Sequence, residues 1–317
     1  MRTVVTGAAG FIGSTLTEAL AARGDRVVAV DCFTPYYDPG MKRSNLAALS
    51  SSPRVDVVDA DLRVCDVAPL LEGADVVFHL AAQPGVRQSW ARGFADYSAH
   101  NILATQRLLE GAVSAGSPRL VLASSSSVYG NAADIPTHED VVPRPRSPYG
   151  VTKLAAEHLS HAYAANWALP VVVLRYFTVY GPRQRPDMAV HRLFEAALGG
   201  PAFPLYGDGS AARDLTFVDD VVAATLAAAD ADVAPGTTAN VAGGSSASVL
   251  ELVELAGEAV GAPVPLERRP AQPGDVDRTL AVTELAHRLL GWEPRVRLGE
   301  GLAAQAAWHR DLRRVAA

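Results

Sequence analysis

The sequence predicts an α/β protein: a doubly wound, mostly parallel sheet in the first half and a smaller α/β lobe in the second. Three observations predict it. Short β-branched runs recur through the first half, helical stretches alternate with them, and the regularity fades after Gly181. In order the runs are Thr3–Thr6, Val27–Val30, Val76–Leu80, Leu120–Ala123 and Val171–Leu174, with a further short one at Val55–Val58. They are continuously apolar or β-branched rather than alternating, so the sheet they form is buried on both faces and hence parallel.

Between these strands lie Ser14 to Arg23, Asn101 to Ala115 and Tyr149 to Ala165, each rich in Ala, Leu and Glu at helical spacing. The resulting βαβαβ order is that of a doubly wound fold. Beyond Gly181, Pro and Gly cluster at Gly199-Gly200-Pro201, Tyr206 to Gly209, Gly243-Gly244 and Pro270 to Gly274. Residues 1–180 are therefore expected to form the larger unit and 181–317 mainly the smaller one, with some exchange of chain between them. The Ala-rich stretch from Ala223 to Ala234 reads as a helix and its loop rather than a low-complexity tract.

With 317 residues, 49% hydrophobic and 20% charged, the chain is an ordinary globular protein large enough for a sizeable core. A formal charge of -6 argues against nucleic acid or an anionic membrane as the main partner. An anionic small substrate then needs local arginines. Cys32 and Cys65 form neither a CxxC pair nor a cluster with histidines, so no metal site and no disulfide framework is expected. The start of the chain lacks the pattern of a signal peptide, and no apolar run is long enough to span a bilayer, so a cytoplasmic protein is expected.

The chemistry begins at Gly7-Ala8-Ala9-Gly10-Phe11-Ile12-Gly13, which follows the first strand and opens the first helix. Glycines there permit a tight turn and the close approach of a pyrophosphate to helix-terminal N–H groups. A glycine-rich turn alone can also serve only a loop or a helix crossing; its strand-turn-helix setting favours a dinucleotide. Asp31 ends the second strand, where a carboxylate accepts from both ribose hydroxyls and repels a 2'-phosphate, favouring NAD over NADP. Asp61-Leu62, after Val55–Val58, offers a hydrogen bond and an apolar wall to adenine, although a plain turn aspartate fits the same residues.

Tyr149 and Lys153 stand one helical turn apart on a common face, so the ammonium lowers the phenol's pKa electrostatically. A phenol with an ordinary pKa of about 10 is a poor base at neutral pH and needs such a cation. Ser124-Ser125-Ser126-Ser127 follows the fourth of the longer runs, at the carboxyl edge where ligands of open α/β sheets bind. Its hydroxyls are placed to hydrogen-bond a reacting oxygen; a serine-rich turn is the competing explanation.

These motifs, with His79-Leu80-Ala81-Ala82 and Arg175-Tyr176-Phe177 in the same order, cover nearly the whole chain. In them the sequence resembles the extended short-chain dehydrogenase/reductase family of nucleotide-sugar epimerases and dehydratases, whose first unit is a Rossmann-type fold. The resemblance implies NAD held tightly and reused in each turnover. It implies that Ser125 and Ser126 assist Tyr149, that Lys153 bonds the nicotinamide ribose, and that Asn101 and Tyr176 flank the cofactor. It also places Leu80, Ala81, Ala82, Gln83, Ser124 and Val179 around NAD, and implies a homodimer built on the Asn101 and Tyr149 helices.

Family dehydratases carry an Asp-Glu pair before Val-Tyr-Gly, and the UDP-glucuronate decarboxylases a glutamate; here Ser126 and Ser127 stand there. Without those carboxylates a 4-keto intermediate has no group to drive elimination or to assist decarboxylation, and return of hydride to the opposite face gives 4-epimerisation. Tyr36-Tyr37-Asp38-Pro39 with Lys42-Arg43, Gln83 to Arg87, Thr178 to Pro182 and Arg185 to Ala189 are similar to UDP-glucuronate 4-epimerases. A uronate carboxylate suits a bidentate guanidinium and a hydroxyl, for which Arg185 and Thr178 are the candidates. Arg213 matches the family's diphosphate position, and Arg87, Arg192, Arg278, Ala189 and Tyr206 complete the expected UDP-sugar site. Pro84 and Arg183-Gln184 depart from the usual Ala and Trp-Gly, the latter adding charge beside the expected carboxylate site. The alternatives are a 4-epimerase of UDP-glucose or UDP-N-acetylglucosamine, then a decarboxylase or dehydratase, and outside enzymes a silent NAD-binding sensor.

Overall fold

The computed structural model describes residues 1–272 and 274–316. Seven strands make the main sheet: β1 (Arg2–Thr6), β2 (Arg26–Asp31), β3 (Val55–Asp59), β4 (Val76–His79), β5 (Arg119–Ser125), β6 (Val171–Tyr176) and, from the second half, β10 (Thr237–Val241). Their order is β10-β6-β5-β4-β1-β2-β3, and every neighbouring pair is parallel.

The continuous apolar runs are explained by what covers them. Val5, Phe78, Val121 and Val172 face one core, while their chain neighbours Val4, Val77, Leu120 and Val173 face another. Successive strand side chains point to opposite faces, so a sheet covered twice requires apolar residues at every position. Each such Val, Leu or Phe, fully removed from water, contributes about 1.5–3 kcal/mol.

Because β1 lies between β2 and β4, the chain leaves it in opposite directions on its two sides, and a crevice opens at the strands' carboxyl ends. The Phe11–Arg23 helix begins at that crevice and ends on Gly24, whose φ of 98° closes a left-handed cap. The Pro148–Trp167 helix starts where Ser147 Oγ accepts from Gly150 N at 3.1 Å, with Pro148 in the first turn. The helix expected from Asn101 begins earlier and irregularly, as a π-turn at Ala99–Leu103 that runs into Ala104–Ser114.

The remaining strands are β7 (Thr178–Tyr180), β8 (Phe203–Tyr206), β9 (Ala212–Phe217), β11 (Ser246–Ser248) and β12 (Leu266–Arg269). They form a three-stranded sheet, β11-β9-β7, and a β12-β8 pair. The Ala189–Ala197, Val249–Val260 and Leu298–Ala316 helices pack around them. The Ala-rich stretch is helical to Asp230 within Val218–Asp230, which packs on β5 and β6 of the main sheet. Among the described residues no helix is long and apolar enough to cross a membrane.

Candidate active site

At the crevice the glycine turn is sterically required. Gly7 has φ 70°, and a Cβ there would lie 2.7 Å from Ala81 N. A Cβ on Gly13 would lie 2.1 Å from Gly7 O, so both positions exclude every other residue without backbone movement. Gly10 caps the following helix, whose first residues line a cleft. Gly7, Gly10, Phe11, Ile12 and Gly13 form one wall; Asp31, Asp61 and Leu62 form its far end. Leu80, Ala81, Ala82 and Gln83 line the floor, and Ser124, Tyr149, Lys153 and Tyr176 the near end.

Two residues expected at the cofactor are not part of that lining. Asn101 lies behind it, accepting from Gln83 N at 2.7 Å and donating to Gln83 O at 3.0 Å and Thr152 Oγ1 at 2.9 Å. It shapes the floor rather than forming it. Val179 is buried in the main core, 5% exposed. Asp31 is aimed by two backbone donors, Ala9 N at 3.0 Å and Phe33 N at 2.8 Å. The Asp61 carboxylate is engaged by Arg63, from Nη2 at 2.6 Å and Nε at 3.0 Å, which holds it below the usual carboxylate range.

Tyr149 is half-buried at the first turn of its helix, edge-on to Tyr97 with ring centroids 6.2 Å apart. Burial pushes its phenol up, while a hydrogen bond with Ser125 and the Arg185 guanidinium pull it down. Lys153 Nζ donates to Ala123 O at the end of β5. Burial pulls Lys153 down to about 8, and the Glu157 carboxylate one turn along pushes it back up. His79 stays neutral, drawn down to about 3 by burial and Lys153, between Thr6 Oγ1 at 2.7 Å and Thr105 Oγ1 at 3.0 Å. Ser125 Oγ also accepts from Ser127 N at 3.1 Å, and Ser126 begins the short 3-10 turn Ser126–Val128; of the serine run only Ser124 is part of the cleft lining.

Sequence reasoning missed the network beneath these groups. Glu157 accepts from Ser124 Oγ and from Arg175 Nη2 at 2.8 Å and Nε at 3.0 Å. Arg175 also donates to the Tyr129 hydroxyl at 2.8 Å and Glu139 O at 3.0 Å, and Tyr129 donates to Asn240 Oδ1 at 2.8 Å. Glu157 lies four residues after Lys153, so helical spacing alone places both on the face toward the sheet.

A second cavity adjoins the first. Thr178, Arg87, Ala189, Arg192, Tyr206 and Arg213 line it. Arg87 pairs with Asp275 at 2.8 Å and lies 4.0 Å over the Tyr206 ring, while Arg213 donates to Ala212 O at 2.9 Å. Arg185 instead opens into the first cleft beside Tyr149, held by Asp187 at 3.0 Å. Tyr36 donates to Asp187 at 3.2 Å and borders both cavities. Arg278 is exposed and lines neither cavity, its backbone bridging Ala212. Nor does Arg183 charge the expected carboxylate site: its guanidinium reaches Glu18 on the first helix at 2.7 Å. Among the described residues, His191, Glu195 and His309 have metal-ligand spacing, with the Glu195 carboxylate taken up by His309 and Arg313.

A family model for the NAD dependent epimerase/dehydratase family matches residues 3–242. The chain belongs to that family. YtcB, an uncharacterized UDP-glucose epimerase of Bacillus subtilis, is 42% identical over 97% of this chain and 98% of its own. A probable UDP-glucuronate 4-epimerase of Rhizobium meliloti is 35% identical over 98% of this chain and 97% of its own. The crystal structure of UDP-glucuronic acid 4-epimerase from Bacillus cereus, with UDP-glucuronic acid and NAD, matches with a TM-score of 0.95 and 40% identity. That match covers 98% of this chain and all (100%) of that one. Family membership accounts for the sheet order and for the glycine turn, Asp31, Tyr149 and Lys153 meeting in one cleft.

Proposed function

We propose that the chain is an NAD-dependent UDP-glucuronate 4-epimerase, interconverting UDP-glucuronate and UDP-galacturonate through a transient 4-keto sugar. One observation carries the choice of substrate: the Arg185 guanidinium, 19% exposed, sits beside the half-buried Tyr149 phenol, with Thr178 lining the adjoining cavity. A cation at the reacting face can pair with a carboxylate on C6 through charge-assisted bonds, whereas a neutral hexose brings it no charge beyond that of Asp187. The name of the Bacillus subtilis relative favours the second reading, a UDP-glucose 4-epimerase.

In this reading Gly7 to Gly13 hold the pyrophosphate, Asp31 the adenosine ribose, and Lys153 the nicotinamide ribose. NAD, when bound, supplies a hydride acceptor at C4 of the sugar and a positive charge beside the phenol. Tyr149, as phenolate, takes the proton of the 4-hydroxyl while Ser125 hydrogen-bonds the same oxygen, and the bound hydride later returns to the other face. Tyr149 then gives its proton back, and no net redox change remains. Arg87, Arg192 and Arg213 hold the UDP diphosphate in the second cavity, and Tyr206 and Ala189 border it. Ser126 and Ser127 offer no carboxylate for elimination.

The same reading assigns residues 1–180 mainly to NAD and 181–317 mainly to the UDP-sugar. It includes a cytoplasmic homodimer through the Asn101 and Tyr149 helices, supported by Leu103 and Val151, 48% and 47% exposed on that surface. Product analysis with UDP-glucuronate and UDP-glucose in parallel tests the substrate. Conversion of UDP-glucuronate to UDP-galacturonate is expected, and conversion of UDP-glucose alone overturns the reading.

A further inference from the structure

The segment that delivers Arg185 to the reacting face is set by two buried side-chain amides. Gln184, immediately before Arg185, is 1% exposed, and Gln305 of the C-terminal helix is fully buried. Gln184 Nε2 donates to Val179 O at 2.9 Å. Its Oε1 accepts from His191 N at 2.8 Å and from Gln305 Nε2 at 2.9 Å. Gln305 Oε1 in turn accepts from Gly181 N at 2.8 Å. His191 Nδ1 meets Gln184 O at 2.8 Å, and Gln184 N donates to Gly181 O at 3.2 Å.

These bonds tie the end of β7, the turn at Gly181, the residue before Arg185 and the start of the Ala189–Ala197 helix into one closed ring. Within the ring Arg183 holds φ 67°, a conformation that a non-glycine residue keeps only when its surroundings fix it. Arg185 therefore projects from a backbone whose position depends on a helix remote in sequence. Its other restraint is the exposed-side pair with Asp187, and Asp187 in turn holds Tyr36.

We propose that Gln184 and Gln305 are positioning residues for the uronate: the amide pair holds the backbone that aims the Arg185 guanidinium at the C6 carboxylate, and so sets the preference for a uronate over a neutral hexose. This rests on the substrate reading above. Neither amide touches the reacting atoms. Bidentate pairing of a guanidinium with a carboxylate depends on direction as well as distance, so a small displacement of the loop costs the uronate and spares a hexose.

The test is calorimetric binding of UDP-glucuronate, UDP-glucose and UDP to the NAD-loaded protein, comparing wild type, Gln305→Leu, Arg185→Ala and the double variant. With Gln305→Leu, UDP-glucuronate binding should weaken about tenfold, the loss expected of one charge-assisted bond, while UDP and UDP-glucose change by less than about twofold. In the Arg185→Ala background the same substitution should add less than about twofold, because residues acting through one another are not additive. Gln305→Met, closer in length, carries the same test where the leucine variant does not fold.

Equal weakening of all three ligands, or a full additional loss in the double variant, overturns the proposal and leaves the substrate reading intact. A wild-type protein that binds UDP-glucose as tightly as UDP-glucuronate overturns the substrate reading, and the proposal with it.

Discussion

Glu157→Gln removes one charge from beneath the site and nothing from the cleft. Glu157 is 1% exposed and the Arg175 side chain 6%, so the pair is shielded from solvent. Breaking a buried pair by neutralising one partner costs about 3–5 kcal/mol, because the remaining charge stays buried. Glutamine keeps the shape and one acceptor oxygen, so a loss near the lower end, about 3 kcal/mol, is expected against a domain stability of about 5–15 kcal/mol. Urea unfolding should show a lower midpoint at unchanged slope. A second readout is chemical. Lys153 loses its proton as pH rises through about 8, and Glu157 is the charge that pushes that value up. Its removal should therefore move the alkaline limb of kcat/KM to lower pH. A stability loss under about 1 kcal/mol, well below the buried-pair range, together with an unmoved alkaline limb would refute the reasoning.

Three further substitutions probe the site. Tyr149→Phe should lower epimerase turnover by orders of magnitude while NAD stays bound, as followed by product formation and cofactor release on denaturation; near-normal turnover sinks the mechanism. Gly13→Ala puts a methyl 2.1 Å from Gly7 O and should abolish NAD retention or soluble folding, read from cofactor content and thermal unfolding. Asp31→Ala removes the carboxylate aimed by Ala9 N and Phe33 N, so NAD should bind at least about tenfold more weakly and its advantage over NADP should shrink. An unchanged NAD to NADP preference would show that Asp31 does not meet the ribose.

The main sheet was legible because its cause is local: strands covered on both faces must be apolar throughout, and Val76–His79 or Val171–Tyr176 admits few other readings. β10 was less legible. Its Thr-Thr-Ala-Asn-Val carries no such run, and its place beside β6 is decided by tertiary pairing. The glycine turn and the Tyr149–Lys153 spacing were visible because each is set within a few residues. Pairings across long stretches of chain were not, as with Tyr36 and Asp187 or Gln184 and Gln305. Side-chain direction was hidden as well. Arg183 and Arg278 are basic residues in the right neighbourhood by number, yet one turns to Glu18 and the other to solvent. Asn101 proved to hold the Gln83 backbone, a role no spacing rule announces.

In the proposed cycle the protein, with NAD bound, epimerises a uronate at C4 with no net oxidation. One NMR time course of the purified protein with UDP-glucuronate addresses it directly. Signals of UDP-galacturonate are expected to grow to a fixed ratio with UDP-glucuronate, without added NAD and without loss of the carboxyl carbon. A pentose product, a stable 4-keto sugar or an unchanged spectrum would contradict it.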